Sequence, residues 1–260
     1  MEGSRPWNRT LRAMPHMFLN RPRVYAPGDH PLNSEKHATW ETINAVCYLI
    51  GGVIFMLGSI GFFPALSPYQ DLGAWLFVLG SLLYLLVSGH DLMEVIRNNQ
   101  VWQNRMEGFA LELFAALLYG TGSLLFILGS LFFLSWVDMA QAGAWCFIVG
   151  SLLFVVGAGI NVLRILDARS PQRLQLMNLT AITFIVGSVL FAVASVPYLW
   201  TLTNGRDKWT LFTYLVWLYE AGSILFLVGG IFNAWRAALV MRDQVGKGDT
   251  EPNPAPNTAA

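Results

Sequence analysis

Six separate stretches of this chain are apolar over about 20 residues or more, the length a helix needs to cross the hydrocarbon of a bilayer. They run Thr42–Phe63, Leu72–Ile96, Phe109–Leu134, Ala142–Ile165, Leu176–Trp200 and Trp209–Val240. Each run is continuous rather than alternating, so the pattern predicts helices and not the strands of a β-barrel. Only 12% of the residues are charged, about half the share found in soluble chains. The expectation is an all-α, polytopic membrane protein with six transmembrane helices.

Flanking segments fit that expectation. Residues 1–40 form a polar arm with arginines at 5, 9, 12, 21 and 23 and prolines at 6, 15, 22, 27 and 31. The prolines forbid one long helix, and a short surface helix between Asn8 and Asn20 is the most the arm supports. It has no apolar core of a cleaved leader. Its mix of arginines with Trp7, Leu11 and Phe18 suits contact with anionic headgroups or with a partner protein. Residues 241–260 read as a disordered tail. Fourteen of the sixteen basic residues fall on one side of the predicted membrane topology; only Arg206 and Lys208 fall on the other. The basic side is expected to be cytoplasmic, with both termini inside and the protein in the inner membrane.

The six runs are copies of one pattern. Gly51–Ser59 reads GGVIFMLGS, Gly122–Ser130 GSLLFILGS and Gly187–Ser195 GSVLFAVAS. The even runs carry Gly80–Ser88 (GSLLYLLVS), Gly150–Ala158 (GSLLFVVGA) and Gly222–Gly230 (GSILFLVGG). Each has a glycine, an aromatic four residues on, and usually a small residue at seven. The even runs add a tryptophan five residues before the glycine: Trp75, Trp145 and Trp217. The pattern predicts three tandem two-helix hairpins, residues 41–97, 109–166 and 176–240, with a period of about 70 residues.

The hairpins Glu41–Arg97, with NAVCYLIGGVIFMLGS and GAWLFVLGSLLYLL, and Glu112–Arg164, with GSLLFILGS and GAWCFIVGSLLFVVGAGINVLR, resemble the YrhK-like domain family of small, mostly bacterial membrane proteins. The third hairpin departs from it. LVWLYEAGSILFLVGG replaces GAW-x-F-x-x-GS, and its glycine interval is 35, against 29 and 28. The resemblance implies a membrane hairpin and brings no activity with it.

On a wheel turning about 100° per residue, the glycine, the aromatic at +4 and the small residue at +7 share one stripe. That stripe predicts a packing seam made by Gly51, Gly58, Gly80, Gly122, Gly129, Gly150, Gly157, Gly187, Gly222 and Gly229, since small residues let helices approach closely in lipid. The three tryptophans fall on the opposite side, as interfacial anchors. Further along the even helices the same stripe carries Asp91, Asn161 and Asn233, then Glu94, Arg164 and Arg236. Around a pseudo-threefold axis these would form a polar ring at the cytoplasmic end, with Glu94 facing Arg164 or Arg236; ordinary flanking charge is the simpler account of them.

Glu220 is an intramembrane acid, placed by the wheel on the face away from the seam, with Arg206 or Lys208 of the third outer loop as candidate partners. Glu41 and Glu112 open their spans, where a carboxylate complements the helix dipole. His90 beside Asp91 is too few ligands for a metal. Cys47 and Cys146 lie in apolar runs and offer neither a disulfide framework nor a CxxC pair. No catalytic signature is present, so no enzyme, metal or cofactor is expected. The formal net charge of +0 argues against nucleic acid as a partner. The lipid bilayer is the expected partner, with a second copy or another membrane protein beside it. Two functions stand open: a non-catalytic structural or accessory membrane protein, or a small-solute or ion transporter or channel along the threefold axis. A dry centre favours the first and a polar cavity reaching Asp91, Asn161 and Asn233 the second.

Overall fold

The computed structural model describes residues 31–97, 106–162, 171–201 and 205–248. Within these, six helices are long and apolar enough to cross a membrane, and no strand is present. They are α1 (Pro31–Ile60), α2 (Gln70–Arg97), α3 (Met106–Phe132), α4 (Ala140–Val162), α5 (Pro171–Ser195) and α6 (Gly205–Gly248).

Prolines set several boundaries. α1 and α5 both begin on a proline, whose missing N–H is unneeded in a first turn. Pro64 and Pro68 lie in a 3-10 segment, Pro64–Tyr69, between α1 and α2. Pro197 lies in the 3-10 turn Val196–Leu199 that ends the fifth span. Asp138 takes a left-handed φ of 50° in the tight connection between α3 and α4. Two helices outrun their expected limits. α1 starts inside the segment read as a polar arm, and α6 continues to Gly248 through the start of the expected tail. The short helix expected at Asn8–Asn20 lies outside the described residues.

Each helix packs mainly against its chain neighbours, and α1 closes against α6. The result is an antiparallel ring of six. Its burial pattern is the inverse of an aqueous core. Leu57, Leu79, Leu86, Leu117, Leu128, Leu152, Val156 and Val193 point outward and are about half exposed, while serines and aromatic rings fill the inside. Outward leucine and inward serine suit hydrocarbon as solvent.

A seven-residue ladder fills the centre, and the three hairpins contribute to it in turn. Phe55, Phe126 and Phe191 meet as a triangle with ring centroids 6.4, 6.3 and 5.6 Å apart. Phe77, Phe147 and Tyr219 form a second triangle, with sides of 6.0, 6.5 and 6.2 Å. Such pairs add about 0.5–1.5 kcal/mol each beyond area burial. The gap beside these rings, among Phe55, Tyr84, Phe126 and Phe154, is too small to admit a water molecule.

Candidate functional site

The glycines shape the walls around this aromatic axis. A Cβ on Gly51 would strike the Tyr84 ring, and one on Gly80 the Phe55 ring. The same exchange joins Gly122 with Phe154 and Gly150 with Phe126, then Gly187 with Phe226 and Gly222 with Phe191. Each hairpin is thus closed by two reciprocal insertions of a ring over a glycine. Gly58 and Gly129 receive Phe77 and Phe147 in the same manner, and Gly157 receives Tyr119. Gly229 differs, with the Thr183 hydroxyl nearest.

Five buried serines along the seams have occupied hydroxyls, whereas the Ser81 and Ser151 hydroxyls, beside Gly80 and Gly150, have no hydrogen-bond partner among the described residues. Ser59, Ser123, Ser130, Ser188 and Ser195 each donate to the carbonyl of the core aromatic residue four positions earlier, at 2.7–2.9 Å. A serine bonded within its own helix behaves as a small packing residue. Two also bridge helices: Ser59 Oγ lies 3.0 Å from Ser223 Oγ across the closing α1–α6 contact, and Ser195 Oγ lies 2.8 Å from the Tyr219 hydroxyl. Trp75, Trp145 and Trp217 stand about half exposed on the outer face.

One heptad beyond Tyr84 and Phe226, the ladder changes character. Asp91 is 1% exposed and Asn233 3% exposed, where aromatic rings would otherwise continue. Arg236, 2% exposed, donates to the Asn233 side-chain oxygen three residues back. The side chains of Glu94 and Asn161, and all of Arg164, lie outside the described residues, so the expected ring is described at three of its six positions.

Two further polar side chains join this end. Glu112, 9% exposed, lies one heptad before Tyr119 and so continues the axis stripe of α3. Glu112 was expected to open its span and complement the helix dipole; α3 begins at Met106, so Glu112 lies in the second turn, on a buried stripe. Asn44, 3% exposed, lies one heptad before Gly51. Gly58 bears on Phe77 and Gly51 on Tyr84, and the same register sets Asn44 level with Asp91. Neither atom of the Asn44 amide has a hydrogen-bond partner among the described residues. Asp91, Glu112 and Arg236 all have partners. Stepping seven residues back from Tyr119 and from Gly51 would have found both additions in the sequence.

Glu220, read as an intramembrane acid on the face away from the hairpin seam, is 9% exposed. It lies between Trp217, whose ring meets Phe63 at 5.3 Å, and Ser223, which bonds Ser59. Ser59 lies on α1 and Phe63 just beyond its end, so Glu220 belongs to the closing seam. A helix in a ring has two buried flanks, and a wheel drawn for one seam misses the second. Neither Arg206 nor Lys208 serves as its partner. Both lie in the first turn of α6, about 21 and 18 Å away at 1.5 Å per residue. Lys208 Nζ sits over the Phe212 ring instead, at 5.7 Å.

Among the described residues no three His, Cys, Asp or Glu side chains gather as a metal site. Both cysteines are free. The arrangement buries acid, amide and guanidinium groups at one end of an aromatic axis. Residues 38–96 and residues 110–166 each match the family described as YrhK-like protein. No curated protein and no solved structure matches the chain.

Proposed function

As a multi-pass membrane protein carrying two tandem YrhK-like domains, this chain is, we propose, a non-catalytic structural or accessory protein rather than a transporter. The third hairpin is a diverged copy of the same unit. Its reciprocal insertions, Gly187 with Phe226 and Gly222 with Phe191, repeat those of the first two.

The observation that carries the reading is the filled axis. A solute path between helices needs a polar cavity or broken helices at mid-membrane. Here the axis is occupied by stacked triangles of Phe and Tyr rings, and the gap beside them excludes water. Asp91, Asn233 and Arg236 then act as a polar cap at one end, not as the mouth of a channel. The bias of basic residues supports an inner-membrane placement with both ends in the cytoplasm. A second copy or another membrane protein, packed against the outward leucines, is the expected partner.

Reconstituted vesicles test this. Ion and small-solute flux should match that of empty vesicles, and remain so after Asp91→Ala. Saturable flux that Asp91→Ala abolishes would overturn the reading.

A further inference from the structure

Glu220 lies within the sixth apolar span, and among the described residues no basic residue is near enough to neutralise it. Its Oε2 is buried and has no hydrogen-bond partner among the described residues. The corresponding places in the first two hairpins hold Val78 and Ile148, both buried. A carboxyl therefore stands where the same packing position elsewhere takes an aliphatic side chain.

The elements packed against it supply no cation. On α1 the titratable groups from Thr42 onward are Cys47 and Tyr48, toward the opposite end. The Pro64–Tyr69 turn adds Tyr69, and α2 begins with Asp71, which has the same charge sign. From Leu174 to Leu199, α5 carries Tyr198 alone, and Tyr219 on α6 is bonded to Ser195. The basic residues on α6 nearest in sequence are Lys208, Arg206 and Arg236, the last about 24 Å along the helix. A bare carboxylate in hydrocarbon is costly without a partner, and a bound proton removes the charge without needing a cavity.

We propose that Glu220 is a proton-binding site. Its carboxyl carries an exchangeable proton and stands neutral in the α1–α6 seam that closes the ring. This goes beyond a purely structural role, because the site takes up and releases a ligand, the proton, from within the outer half of the bilayer.

Infrared difference spectroscopy on protein in liposomes at neutral pH tests it. Wild type minus Glu220→Gln should show the loss of one protonated-carboxyl C=O band, which shifts in D2O, with the carboxylate stretch unchanged. Loss of a carboxylate band instead would overturn the proposal. Glutamine has the shape of the neutral acid, so the variant should fold. Glu220→Val, which copies Val78 of the first hairpin, should give the same difference spectrum if the glutamine variant does not accumulate. A carboxylate band lost there overturns the proposal equally.

Discussion

Adding one methyl group at Gly122 tests the glycine–aromatic exchange quantitatively. A Cβ there meets Phe154 Cε1 at 2.6 Å, Cδ1 at 2.8 Å and the Gly150 carbonyl oxygen at 3.1 Å. Carbon atoms prefer about 3.5–4.0 Å, so the ring must retreat by about 1 Å. It has nowhere to go. Phe126 lies 5.2 Å from it, Phe184 5.5 Å and Tyr119 6.1 Å, centroid to centroid. The helices must therefore spread, at an overpacking cost of about 1–3 kcal/mol. Alanine offsets part of this, since it favours a helix over glycine by up to about 1 kcal/mol. Gly159→Ala isolates that gain, because nothing lies within 4 Å of a Cβ at Gly159. The two variants should differ by about 1–3 kcal/mol in reversible unfolding in mixed micelles, with Gly122→Ala the weaker. Phe154→Leu, which removes the struck ring atoms, should recover about 1 kcal/mol or more of the Gly122→Ala loss as a coupling energy. Equal stability of Gly122→Ala and Gly159→Ala would refute the packing argument.

Three other outcomes follow from the geometry. Phe126→Ala removes a ring that touches three other helices, which cannot all collapse inward, and should cost about 3–5 kcal/mol in the same unfolding assay. Arg236→Ala strips the Asn233 oxygen of its donor in a buried layer and should cost about 1–3 kcal/mol, with Arg236→Lys recovering part of it. Asp71 accepts from both the amide and the hydroxyl of Ser135, each at 2.7 Å, tying α2 to the turn after α3. Asp71→Ala should speed hydrogen exchange at the Ser135 amide while leaving core amides unchanged.

The spans were legible because hydropathy alone sets them, and each of the six helices overlaps one predicted run. The inward face was legible because glycine, aromatic and small residue recur at four and seven. What that spacing cannot distinguish is a seam between two helices from an axis shared by six. Both need the same seven-residue period, and the difference lies in how many rings meet, as Phe55, Phe126 and Phe191 do. The burial of Glu112 was missed for a related reason. A carboxylate near the start of a span looks the same in sequence whether its stripe faces water or the axis. The packing of Glu220 toward α1 was not legible, because ring closure between the first and last helices is a long-range contact with no local signature.

The closure itself is the most direct test of the whole arrangement. Ser59 and Ser223 bring their hydroxyl oxygens within 3.0 Å across α1 and α6. With Cys47 and Cys146 replaced by alanine, Ser59→Cys with Ser223→Cys should form a rapid cross-link within one chain under mild oxidation. The pair Ser59→Cys with Ser151→Cys, on helices that are not ring neighbours, should not. A first-to-last pair that stays reduced, or that joins only separate chains, would contradict a ring closed by α1 on α6.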